Sequence, residues 1–307
     1  MITATATTAG QSVLAAADDT GTFVPRLPFG DWVESAVDWV TTTFDAVFDV
    51  VKAILEGAFD GLEWALQTPP FIVVALVLAL LAALAAGWKL GVGSLVGFAV
   101  IAGMDQWDNA MASLTLVIIA SAIALLIAIP VGIWTARNDH ASRLVRPVLD
   151  FMQTMPAFVY LLPAVVIFLT GAVPGIVATV IFALAPGVRF TELGIRQVDA
   201  EIVEAGHAFG STRGRILRQI QLPLAMPTIM AGVNQVIMLS LSMVVIAGMV
   251  GAPGLGQPVV ESLSRIDVAL GFEGGFSVVI LAIFLDRVTS ALAKRSPVAK
   301  ALATASA

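Results

Sequence analysis

The most distinctive spacing in the chain is Glu204-Ala205-Gly206, then Gly210, then nine residues, then Ile220-Gln-Leu222-Pro223. Glu204 is the sole ionisable residue among these positions, so the chemistry they offer is recognition of another surface, not catalysis. Small residues at 205 and 206 let a partner backbone come close, and Gly210 can take the left-handed turn that ends a helix. Arg213, Arg215 and Arg218 follow, either for a complementary acidic patch or as the basic residues that mark one side of a membrane. A second set, Asn234, Met238 and Ser242, recurs every four residues and shares one helix face. It fits a weakly polar path for a passing zwitterion or hydrogen bonds between helices, and both readings stay open. Tyr160, with Phe158, is open in the same way, between lining a path and aromatic packing. No nucleophile, base and orienting group cluster by motif, and no G-x-x-x-x-G-K-[ST] phosphate loop occurs. With no cysteine and only His140 and His207, neither a catalytic residue nor a metal site is expected.

The elements that hold these residues belong in a bilayer. Of 307 residues 58% are hydrophobic and 12% charged, with a mean hydropathy of +0.95. A soluble domain carries about 25% charged residues. This much apolar surface cannot all fit inside one core. A net charge of −6 leaves no electrostatic footprint for nucleic acid. The first residues, Met1–Ala17, lack both a basic region and an apolar run, so no cleaved leader is expected.

Along the chain, residues 1–27 read as a disordered tail. Within 28–70, apolar residues from Val33 to Leu62 alternate at helical spacing with an acidic face from Glu34 to Glu63. The pattern predicts one amphipathic helix over Asp31–Leu66, stopped by Pro69-Pro70. It is too charged to span, so it lies on the membrane or packs on its own domain. Uncharged runs then predict seven spans within 71–292: Phe71–Trp88, Leu90–Met104, Asn109–Ala136, two divided at Gly171–Gly175, Pro227–Val250, and one beginning at Gly274. Leu90–Met104 falls short of the roughly 20 residues a span needs. Placing the N-terminus outside and the C-terminus inside puts all but Arg26, Lys52 and Arg265 of the 16 lysines and arginines on the inner side. Residues 293–307 form an inner tail.

The stretch from 189 to 226 is far longer than the usual connection of about 2–8 residues between bundled helices. It predicts two short helices, Glu201–Phe209 and Thr212–Gln221, around Gly210. The third to sixth spans hold no charge in their interiors, which leaves an ion-coupled secondary transporter without a relay.

The spaced motif resembles the cytoplasmic "EAA" loop of ABC importer permeases, with Gly206 where that pattern has alanine. The likeness continues through Leu149–Tyr160, Gly194–Val198, Gln221–Gln235, Met238–Gly248 and Leu281–Arg287, and these segments are similar to the glycine betaine/proline betaine permeases. Phe168–Gly171 and Ala185–Gly187 depart from that pattern at what read as helix ends. The resemblance implies an all-α membrane fold of the type I ABC importer kind in a bacterial inner membrane. It also implies that Glu204, Ala205, Gly206, Gly210, Ile220, Leu222 and Pro223 dock on a separate ATPase subunit, which binds the ATP and Mg²⁺. An external solute-binding protein and a second permease copy, forming a homodimer, complete the implied assembly. The implied cargo is glycine betaine or a related compatible solute; choline, carnitine or an amino acid would suit the same architecture. The six tryptophans read as interface anchors, and nothing in the chain itself explains betaine recognition.

Overall fold

A computed structural model describes residues 28–294. The predicted terminal tails, 1–27 and nearly all of 293–307, lie outside the described residues. No strand occurs among the described residues. The chain divides between Asp45 and Ala46 into two compact units.

The first unit holds α1 (Phe29–Thr43). The predicted single helix over Asp31–Leu66 is two helices, because the chain breaks at Phe44 (φ −112°, ψ 21°) before α2 (Asp45–Gln67). Three threonines precede the break. The hydroxyls of Thr41 and Thr42 donate to the carbonyls of Val37 and Asp38 at 2.7 and 2.8 Å, a back-bonding that bends helices.

The second unit starts with α2, whose inner face packs on protein: Leu55 and Phe59 are buried, and Phe48 meets Phe168 edge-on at 5.7 Å. After Pro69-Pro70 the chain turns by 102° into α3 (Phe71–Ala86), then α4 (Trp88–Gly103) and α5 (Trp107–Arg137). Next come α6 (Asp139–Thr154) and α7 (Ala157–Phe168), bent by 95° at Pro156. α8 (Ala172–Arg196), α9 (Ala200–Ala208) and α10 (Arg213–Ile216) lead through a π turn, Leu217–Gln221, into α11 (Leu222–Ala247). α12 (Gly256–Arg265) and α13 (Val268–Lys294) complete the described chain.

The described residues offer four to six candidate spans by length and composition, with α4 as a shorter apolar helix beside them. Four helical stretches are long and apolar enough to cross by themselves: α5, α8, the rod 213–250 and α13. Two more qualify if the bent pairs α2–α3 and α6–α7 each count as one. α3 and α4 have 16 residues each, about 24 Å at 1.5 Å per residue, against a hydrocarbon core of about 30 Å. The break expected between Phe71–Trp88 and Leu90–Met104 falls at Gly87, whose φ is +96°.

The core is centred on α8, which packs most extensively on α5 and α11. Glycines allow this approach. A Cβ at Gly132 would lie 2.5 Å from Thr191 Cβ, one at Gly187 2.7 Å from Ala128 Cβ, and one at Gly232 2.5 Å from Phe190 Cβ. Ala185–Gly187 is therefore not a helix end. Pro186 sits inside α8, and the helix runs through it between its two neighbours.

The second loop helix is likewise not separate from the span predicted to begin at Pro227. From Arg213 to Val250 the chain is one continuous rod. Pro223 and Pro227 each lack an N–H, and the rod widens to a π turn just before the first of them. At the far end of the rod, Gly251 (φ +80°) and Gly254 (φ +121°) fold a loop inward. Leu255 and Ala252 are buried there, and the Leu255 N–H donates to Ser113 Oγ at 2.8 Å. The short amphipathic α12 that follows was not predicted, because one glycine-led run of polar and apolar residues resembles a loop.

Candidate functional site

The spaced motif sits in the connection between α8 and the 213–250 rod. α8 continues past Val188, where the apolar run stops, to Arg196. Asp199 then caps α9, its Oδ1 accepting from the Glu201 N–H at 2.9 Å. The C-terminus of α9 closes as a Schellman motif: Ser211 N–H donates to Gly206 O at 3.1 Å and Gly210 N–H to His207 O at 2.9 Å. Gly210 has φ +75°, a conformation that costs an L-residue roughly 1–2 kcal/mol. Thr212 caps α10 by accepting from the Arg215 N–H at 3.4 Å. Helix, glycine turn and helix thus occur in the expected order.

The motif residues divide between two faces. Gly206 is buried against its own chain: a Cβ there would lie 2.9 Å from Ile220 Cδ1 and 3.3 Å from Ile216 Cγ1. Glycine in place of alanine thus lets α9 lie close on the start of the rod. Leu222 packs against Ile195, Leu217, Ala225 and Ile229, which anchors the rod beside α8, and Pro223 is half-buried next to it. Glu204, Ala205 and Gly210 face outward. Beside them Phe209 is 89% exposed and Ile202 is exposed as well, so the tip of the loop presents an apolar surface left uncovered among the described residues. Phe209 lies inside the motif's variable positions, and its single-residue signal gave the sequence reading nothing to single it out.

Directly behind this loop lies a charged zipper that sequence reading also missed. Glu192 on α8 is 3% exposed, and its Oε1 accepts from Ser142 Oγ at 2.7 Å, Arg146 Nη2 at 2.8 Å and Arg196 Nε at 3.0 Å. Arg196 also reaches Asp139 at 2.8 Å and the carbonyl of Thr135, at the end of α5, at 2.9 Å. Arg189 pairs with Asp150. The pairs 139–196, 142/146–192 and 150–189 fall in antiparallel register between α6 and α8. A signal existed: Asp139, Ser142, Arg146 and Asp150 on one helix, and Arg189, Glu192 and Arg196 on the other, each spaced by three or four. The clamp ends three residues before the cap of α9.

The polar positions of α11 have different partners. Asn234 is engaged between helices: its Nδ2 donates to Asp286 Oδ1 at 3.0 Å, and its Oδ1 accepts from Thr289 Oγ1 at 2.6 Å, both on α13. Ser242 donates to the Met238 carbonyl one turn back, at 3.1 Å, and is exposed, with Met238 half-buried. Tyr160 is buried, its hydroxyl donating to Met152 O at 2.5 Å across the α6–α7 bend and its ring 6.1 Å from that of Phe182. Asn234 and Tyr160 thus bond to neighbouring elements, whereas Ser242 bonds within its own helix.

Comparison with known proteins agrees with this architecture. Residues 128–296 match the family described as binding-protein-dependent transport system inner membrane component. The chain is 47% identical over 270 residues to the glycine betaine/proline betaine transport system permease protein ProW of Escherichia coli, covering 88% of this chain and 76% of that one. It is also 47% identical over 277 residues to the glycine betaine/carnitine transport permease protein GbuB of Listeria monocytogenes, covering 89% and 98%. Among solved structures, a chain of the MetNI methionine ABC transporter in an inward-facing conformation shares the fold, with a TM-score of 0.57 at 20% identity over 61% of this chain and 93% of that one. With an all-helical, type I fold, a loop of the expected form between α8 and the rod, and these likenesses, the chain belongs to the inner-membrane permease components of binding-protein-dependent ABC transporters, in the group of the glycine betaine permeases.

Proposed function

We propose that this permease imports glycine betaine or a close quaternary ammonium relative. The observation that carries the substrate is 47% identity, over most of both chains, to permeases whose names specify that solute. Carnitine is the second reading, since the Listeria relative's name includes it.

In the mechanism we infer, two copies of the chain pair around a pathway, with the loop end inside, the N-terminus outside, and 28–70 serving as an outer support for the permease body at 71–292. An external binding protein delivers solute to the outer end. The exposed tip formed by Glu204, Ala205, Phe209 and Gly210 seats on a separate ATPase subunit, which binds ATP and Mg²⁺. Burying one exposed Phe is worth about 1.5–3 kcal/mol, enough to make Phe209 an anchor of that contact. Movement of the loop then passes along two stiff routes. Gly206, Ile216 and Ile220 tie α9 to the 213–250 rod, and the Glu192 zipper ties the end of α8 to α6. The rod and α8 form the core of the bundle, so displacing both together rocks the spans between outward- and inward-open arrangements. Exposed Ser242 and half-buried Met238 supply a weakly polar surface for the pathway, while Asn234 and Tyr160 hold helices in place.

The substrate is tested by uptake of labelled glycine betaine in a bacterium lacking its own betaine transporters, supplied with this chain and its ATPase and binding-protein partners. Unlabelled betaine should compete fully, carnitine less, and an amino acid such as methionine not at all. Uptake that an amino acid abolishes and betaine does not would overturn the assignment.

A further inference from the structure

We propose that a pocket at the loop end of the bundle, between the α3–α4 turn and α13, is a binding site for the headgroup of an anionic phospholipid. The pocket has a volume of about 790 Å³ and is lined by Lys89, Arg287 and Ser290 together with Ala85, Ala86 and Gly87. Its place follows from the topology. α13 runs antiparallel to α11 and is pinned to it through Asn234, Asp286 and Thr289. The part of α13 beyond Asp286 therefore points toward the end of the rod that carries the motif, and the α3–α4 turn packs there.

Three observations point to an anion. Lys89 and Arg287 are both exposed, and neither has a carboxylate within ion-pair distance among the described residues. The neighbouring carboxylate, Asp286, is turned away to Asn234. Small side chains, not charged ones, make up the rest of the floor, so the pocket holds two positive charges and no compensating negative one. The first turn of α4 adds to this field, since no side chain caps it.

The surroundings choose a lipid over a soluble ion. Leu80 and Leu84 on α3 and Val92 and Val96 on α4 are exposed, four residues apart on each helix, and Trp88 is exposed beside Lys89. Acyl chains have apolar helix faces to follow from a headgroup in this pocket, and a tryptophan at the boundary is the usual neighbour of headgroups. The pocket also lies at a seam: α3 and α4 precede the matched family region at 128–296, and Arg287 lies within it. A bound headgroup would bridge the added hairpin to the permease core.

Trp88 makes the test direct. The full chain with its ATPase partner is placed in phosphatidylcholine bilayers containing brominated phosphatidylglycerol or brominated phosphatidylcholine, and the Trp88 emission is isolated by subtracting the Trp88→Phe protein. With roughly 1 kcal/mol for each of the two basic residues, half-maximal quenching should need about thirty-fold less brominated phosphatidylglycerol than phosphatidylcholine. K89Q/R287Q should remove that preference, and K89R/R287K should keep it. Equal quenching by the two lipids, or a preference that survives in K89Q/R287Q, would overturn the proposal. Displacement of the brominated lipid by millimolar inorganic phosphate would assign the pocket to a soluble anion and overturn the lipid reading.

Discussion

The two ends of the 213–250 rod are built from different materials. At the far end, the loop 251–256 folds back so closely that backbone lies on backbone: a Cβ at Gly256 would sit 2.5 Å from the Val245 carbonyl and 2.9 Å from that of Val244. A buried bond from the Leu255 N–H to Ser113 cross-links this end to α5. At the loop end the rod is held by side chains instead: Ile216 and Ile220 lie against Gly206 and Leu222 packs beside Ile195, with the charged zipper tying α6 to α8 and an exposed Phe209 at the tip. Close backbone packing fixes one geometry, whereas side-chain contacts beneath an exposed loop give way at lower cost. Such a contrast suits a rod held at one end and moved from the other.

That contrast can be broken from either side. Gly256→Val should have the largest effect, because the clash is with backbone that cannot give way; a penalty above about 3 kcal/mol is expected. Membrane-inserted protein should then fall to a small fraction of wild type, as read by quantitative immunoblot of membranes. Gly210→Trp should leave insertion and bilayer assembly intact but reduce uptake to background, since both φ and outward bulk are altered at the tip. Glu192→Ala removes the shared acceptor of three donors and should lower stability by about 2–3 kcal/mol, visible as a lower Tm, with Glu192→Gln milder. Smallest is Gly206→Ala. Its methyl meets the mobile end of Ile220, so a loss of about 1 kcal/mol or less is expected, offset in part by better helix propensity.

Legibility in the sequence followed the same division. The motif at 204–223 was readable because glycine, proline and small residues constrain backbone locally: Gly210 takes its left-handed turn and Asp199 and Thr212 cap where the spacing allows. The bundle was readable as apolar runs, including the break beside Gly87, but hydropathy does not register the Pro156 bend. Pro186 and Pro223 read as breaks, and tertiary packing carried the helices through them. Least legible were the residues defined by partners on another element. Glu192 finds Ser142 and Arg146 some fifty positions away in sequence, and Asn234 finds Asp286 and Thr289 across α11 and α13. Periodicity places such residues on a face, but the partner helix has to be known before the bond can be seen.

The most direct test of the account reconstitutes the permease with its ATPase and binding protein in vesicles and measures ATP hydrolysis and labelled betaine uptake together, for wild type and Gly210→Trp. The account predicts ATP-driven uptake by wild type and background uptake by an assembled variant. Normal uptake by the variant would contradict the central role given to the loop.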